Sequence, residues 1–354
     1  MKAEYTIAII IASAGMASGQ VTITSKDMFS TVGQYYRVYA NPAPTALSAS
    51  HYDVTGRLGN PGGPQVWDFS TGPTNVIYRY DYVETSDGSH GDNYPLAKYA
   101  ERQTVESTGV AKAWMYLEQV AGVGRRNYGF VNPADDPSEG QFNPPIVDFP
   151  DPMKYQGTWN LSTTFDFTVL GLMPARINYS AEVTVDAYGT IILPGLGTNA
   201  CLRVNELDTY ETLVDLEMTG DFQSFETDYI RIYYFLCPGS GIVAEVHSQQ
   251  SSAGAPDINF TDASQFSRMF EMSRGGAVPK PEPITDLTLT PMGGGILLNW
   301  SKTANTVSYR IDCTSNPTDP ASWQALGSTT KAFFLDTATS GATLRFYRVV
   351  SLAQ

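Results

Sequence analysis

Histidine is nearly missing from this chain, with three in 354 residues. His51, His90 and His247 have no local Ser or Cys partner, so no catalytic triad can be read from neighbours. H-E-x-x-H, G-x-S-x-G, the phosphate-binding P-loop and G-x-G-x-x-G are all missing, which leaves no recognisable catalytic motif. Charged residues make up only 16%, too few for long solvent-exposed helices. Basic residues are outnumbered, 22 Lys and Arg against 36 Asp and Glu. Phosphate recognition needs clustered cations, so nucleic acid is excluded as a partner. After residue 17 no apolar run is long enough to cross a bilayer. There is no internal repeat and no low-complexity tract.

What the chain has in quantity is Gly (31), Pro (22) and Tyr (21). Frequent turn formers between short aromatic, alternating runs predict an all-β protein. The expected architecture is a large antiparallel β-sandwich-like domain over residues 20–278, a Pro-rich linker over 279–283, and a small β-sandwich over 284–354. Residues 1–19 read as an export signal: an apolar core of about eleven residues, Ile7 to Ala17, then the small residues Ala17-Ser18-Gly19. No Cys lies near that cut, so a lipid anchor is not indicated. The expectation is a secreted or cell-surface protein with no membrane span after cleavage. Residues 279–354 carry six Lys and Arg against five Asp and Glu, so the whole negative balance of the chain, net −14, lies in the residues before them. Such acidity fits extracellular solubility or Ca²⁺ binding. The N-x-S/T sequons at Asn160, Asn178, Asn259 and Asn299 are read as chance.

Val76 to Val83 (VIYRYDYV) alternate with period two, which puts Tyr78, Tyr80 and Tyr82 on one face. That row reads either as a stacking platform for a glycan or as one face of the core. Asp228 to Cys237 are apolar or aromatic on both faces, which predicts a central strand covered on both sides. Residues 97–121 fit a short helix or a strand. Residues 131–157 are Pro-rich and read as a long irregular loop that covers a core edge or serves function.

Asp87, His90 and Asp92 on a polar turn form a candidate metal site, against the simpler reading of an exposed turn. Asp135, Asp136 and Glu139, with Asp148 and Asp151 beyond, form a second acidic segment of the kind that supplies oxygens to Ca²⁺. Cys201 and Cys237 are candidates for a disulfide or for two buried thiols. Cys313 has no partner in its own domain. Catalytic residues are not identifiable. Carboxylate pairs that cleave glycosides meet in space and not in sequence, so a carbohydrate-active enzyme stays as the alternative to a binding or structural protein. A deep pocket with two carboxyl groups roughly 5–10 Å apart would mark the enzyme.

Leu298–Trp300, Tyr309–Ile311 and Phe346-Tyr347-Arg348-Val349 resemble the fibronectin type III pattern of a buried Trp on an early strand and an aromatic-x-Val signature on a late one. The resemblance covers 284–354 and implies a spacer or adhesive sandwich. It departs from the family after FYRVVSLAQ, where a last strand is due. ITSKDM, GGPQVWDFS, DAYGTIILPG, CLRV and GSGIVAEV weakly resemble segments of uncharacterised exported surface proteins of Bacteroidetes-like bacteria. That likeness implies export and a β fold and brings no catalytic residue with it; the expected partner is a glycan or a surface protein.

Overall fold

The computed structural model describes residues 21–42, 49–133, 137–169, 172–275, 284–303, 308–319, 322–337 and 344–352. The expected export signal and linker lie outside them. The chain divides into two compact units, Met1–Arg274 and Gly275–Gln354.

Unit one is built on twelve strands in chain order: β1 (Tyr35–Ala40), β2 (Val76–Val83), β3 (Tyr99–Val105), β4 (Val110–Val120), β5 (Gly124–Val131), β6 (Glu139–Pro150), β7 (Thr158–Val169), β8 (Met173–Leu193), β9 (Gly197–Val214), β10 (Gln223–Cys237), β11 (Gly241–Ser248) and β12 (Asp262–Ser273). Each pairs antiparallel with the next, and β12 pairs with β1 in the register Ser267↔Ala40 to Ser273↔Tyr35. The sheet therefore closes into an up-and-down barrel, which corrects the expected sandwich. Closure removes the exposed edges that an open meander would leave. Residues 97–121 are two strands with no helix. The expected loop at 131–157 is largely β6.

Eight strands enclose just enough room for side chains, so twelve leave a lumen to be filled. The segment ahead of β1 closes one end. Thr22–Ile23 pairs with Met153–Lys154, and Ile23 and Met28 are buried among Phe149, Leu161, Val183 and Leu236. Phe29 lies 5.2 Å from the Tyr36 ring and 5.6 Å from that of Tyr82. Arg274 fixes this plug by donating to the carbonyls of Lys26 and Met28.

Outward positions on the early strands carry ion pairs. Arg37 bridges Glu106 and Glu271, and Asp81 bridges Arg79 and Arg102. A barrel that crosses a membrane carries an apolar band at these places. No helix among the described residues is long and apolar enough to cross one.

Past a bulge between Val185 and Ala187, β8 exchanges its β7 partner for the parallel strand Gly62–Asp68. That strand and its continuation cover the outer face of β10 and β12, where Phe69 packs edge-on against Phe235 and Phe266, each 4.9 Å away. Inward Ile232, Tyr234 and Leu236 therefore alternate with outward, covered Tyr233, Phe235 and Cys237, as the two-sided apolar pattern of 228–237 requires.

Unit two holds two three-stranded antiparallel sheets. One contains β13 (Thr288–Met292), β14 (Gly295–Asn299) and β17 (Phe333–Asp336). The other contains β15 (Ser308–Thr314), β16 (Gln324–Thr329) and β18 (Phe346–Leu352). Its core is Leu298, Trp300, Tyr309 and Ile311.

Candidate functional site

The barrel lumen keeps a cavity of about 720 Å³ that reaches the unplugged end at Asn132, Pro137 and Gln250. Its walls change character along the axis. Apolar side chains fill the plugged end, and a belt of polar side chains crosses the middle. Phe130, Phe142, Phe165 and Ile177 line the approach.

One side of the belt comes from β3, β5 and β6. Arg125 donates from Nε and Nη2 to both oxygens of Asp148 at 2.8–3.1 Å, and its guanidinium lies 4.7 Å over the Phe149 ring. Burial alone would lower the Arg125 pKa, but Asp148 and Glu101 outweigh it and hold the guanidinium firmly charged. Glu101 accepts a short hydrogen bond from the Tyr82 hydroxyl. Burial raises its pKa against the opposing pull of Arg125.

The other side comes from β9 and β11. Glu206 and Asp208 stand two residues apart on β9, so both point inward. The hydroxyls of Tyr179 and Tyr210 each donate to Asp208 at 3.1 Å. Burial raises the pKa of Glu206 well above the ordinary value, and the neighbouring Asp208 and then Asp148 across the lumen raise it further. Asp208 is also raised by burial, against hydrogen bonds from Glu206, Tyr179 and Tyr210. Each of the two carboxyl groups thus acts on the titration of the other, as close acid pairs do. Next to them, His247 Nε2 lies 3.5 Å from Glu245 Oε2 yet makes no hydrogen bond. The contact is thus a charge pairing available only when the ring is protonated.

The lining therefore carries five carboxyl side chains, Glu101, Asp148, Glu206, Asp208 and Glu245, against Arg125 and His247. Among the described residues, no group of three or more His, Cys, Asp or Glu is arranged to hold a metal ion. What the arrangement offers is a buried acid pair able to release or accept one proton beside a row of tyrosines.

The candidates read from the sequence fall in different places. Tyr78, Tyr80 and Tyr82 are buried inside the barrel, so they form no exposed sugar platform. Tyr80 lines the cavity, where it stacks on Tyr36 at 4.5 Å and accepts from Gln103 at 2.6 Å. Asp87 and Asp92 sit on separate exposed turns, and His90 is taken up by Glu139 at 2.7 Å, so the three do not converge on a metal. Hydrogen bonds from Asn93 and His90 hold the Glu139 carboxyl below its usual range despite partial burial. Asp135 and Asp136 lie outside the described residues. Asp148 turns inward to Arg125, while Asp151 accepts from the Gly122 amide, so neither joins a Ca²⁺ loop. Cys201 and Cys237 are buried free thiols in mutual contact across β9 and β10, not a disulfide. Glu101, Arg125, Glu206, Asp208, Glu245 and His247 were not singled out from the sequence. The available signal was parity: Leu202, Val204, Glu206, Asp208 and Tyr210 occupy one face of β9, apolar at one end and acidic at the other.

No family model matches the chain, and neither does any curated protein or solved structure.

Proposed function

We propose that this is an exported, non-enzymatic binding protein that holds a small organic molecule inside the barrel, with residues 284–354 as a fibronectin type III-like spacer or adhesive module at the cell surface. The observation that carries the reading is the 720 Å³ lumen, lined by aromatic rings and a few convergent polar groups. Small-molecule sites have that size and that mixture. Export rests on the composition of residues 1–19 and on the acidity of the large domain. The two three-stranded sheets and the buried Trp300 support the module assignment.

A carbohydrate-active enzyme is the second reading, favoured by several carboxyl groups in one cavity. Against it, Glu206 and Asp208 stand side by side on one face of β9 and do not flank a bond from two sides.

The test is a thermal-shift screen of neutral, anionic and cationic small molecules on the intact chain and on Ala113→Trp. Ala113 lines the cavity from β4, and an indole there takes up part of the space a ligand would need. Ligands that raise the Tm of the wild type and leave the Ala113→Trp variant unmoved establish the lumen as the site. Equal shifts in both proteins refute it.

A further inference from the structure

We infer that the occupant of the lumen is an organic ammonium ion with an apolar body, its nitrogen seated at Glu206 and Asp208; the inference rests on the lumen reading above.

Charge comes first. Arg125 is already matched by Asp148, with Glu101 beside it, so its cation is spent on that wall. On the facing wall Glu206, Asp208 and Glu245 have His247 as the basic side chain on their own strands, and Arg125 reaches Glu206 only from the other wall, where Asp148 already pairs it. A second, independent observation is the state of two buried polar groups. The Tyr36 residue is 5% exposed and lines the cavity, yet its hydroxyl makes no hydrogen bond to a described residue. Glu206, 4% exposed, accepts no hydrogen bond from an N–H or hydroxyl of a described residue. Buried polar groups left in this condition await a partner from outside the chain.

The rings select the kind of partner. Tyr179 and Tyr210 donate to Asp208, and Tyr36, Tyr80 and Tyr234 line the same cavity. Tyrosine faces attract a cation whose charge is carried on carbon-bearing nitrogen, and cages of such rings are how proteins hold ammonium ligands. An anion would meet five carboxyl groups. A neutral sugar would satisfy the hydroxyls but leave the acid pair without a counter-charge. An ammonium group supplies both the charge and N–H donors for Glu206 and Asp208. The apolar body then lies toward Phe130, Phe142, Phe165 and Ile177 at the open end.

The experiment compares three fluorescent probes of one shape on the full chain: dansylcadaverine, its neutral N-acetyl derivative, and the anionic dansyl-aminohexanoate. The expected result is that the cation binds at least about tenfold tighter than the neutral probe and the anion not at all. In Glu206→Gln/Asp208→Asn the ratio of cation to neutral affinity falls to near one. Wild-type ratios alone decide the matter if that variant fails to fold. A neutral or anionic probe that binds as tightly as the cation, and is blocked by Ala113→Trp, overturns the cation inference and leaves the lumen reading standing. No binding by any probe, or binding that Ala113→Trp does not touch, overturns both.

Discussion

Removing the guanidinium of Arg125 should be among the most damaging single changes in the barrel, and removing its partner as well should cure most of the damage. The pair is nearly sealed from solvent, with side chains 6% and 10% exposed. In Arg125→Met the Asp148 carboxylate stays buried without its three charged hydrogen bonds, and Glu101 loses the cation that opposes its own burial. Breaking a buried pair this way costs about 3–5 kcal/mol, because an uncompensated charge remains. Arg125→Met/Asp148→Leu leaves no such charge from the pair and buries apolar surface beside Phe149 and Trp159, so it should return to within about 1 kcal/mol of the wild type or exceed it. The pH dependence follows in sign. In Arg125→Met the stranded carboxylates can escape their burial cost by taking up protons, so the deficit shrinks on acidification from pH 8 to pH 5. Two units can unfold separately, so a single global transition is the wrong readout. Hydrogen exchange followed on peptides from β5 and β6 reports the barrel alone. The reasoning fails if Arg125→Met costs less than about 1 kcal/mol in those peptides, or if the double variant is as unstable as the single one.

Two further outcomes are expected. Burial and Asp208 raise the Glu206 pKa in the folded state, so the folded chain binds that proton more tightly than the unfolded chain, and stability is lost as pH rises from the ordinary Glu value of 4.5 toward the raised one. Glu206→Gln should therefore raise the urea midpoint of the barrel at pH 8 and make little difference at pH 4; an equal gain at both would sink the argument. Gly129 on β5 has φ 139°, and a Cβ there would overlap the Gly140 carbonyl and stand 2.9 Å from the Tyr94 ring. Gly129→Ala should cost about 1–3 kcal/mol and increase exchange in β5 and β6, and a variant with unchanged exchange would show that the close approach is not required.

Strand content was legible because alternation is local. VIYRYDYV put its tyrosines on one face without fixing whether that face was exposed or core, and 228–237 announced a strand covered twice. Closure was not legible, since an up-and-down meander gives the same local signals whether its first and last strands meet or lie at opposite edges. The β12–β1 pairing joins residues more than two hundred positions apart, and nothing in either strand names the other. The proline-rich stretch misled for a specific reason. Proline cannot donate to a ladder and so argues against an interior strand. Yet β6 meets β7 through one ladder position, Asn143↔Thr164, and the seam is held instead by side chains. Thr163 and Thr164 donate to the carbonyls of Pro144 and Asn143, and the Trp159 ring nitrogen donates to that of Asp148. A missing N–H is harmless where side chains supply the donors.

The polar belt was hidden for the same reason. A carboxylate on a strand reads as a solvent-facing position, and Glu206 and Asp208 would face solvent if β9 belonged to an open, one-sided sheet. Only when twelve strands close, and Ile23, Met28 and Phe29 stop one end, does the face that begins with Leu202 and Val204 become an interior throughout. The acids then lie inside at a cost that hydrogen bonds from Tyr179, Tyr210 and Tyr82 offset in part. A barrel selected for stability alone would carry apolar side chains at these positions, because replacing buried charge with well-packed apolar groups is neutral or favourable. That Glu101, Glu206 and Asp208 are there instead, around space the chain does not fill, is the strongest physical argument that the lumen is kept for a ligand.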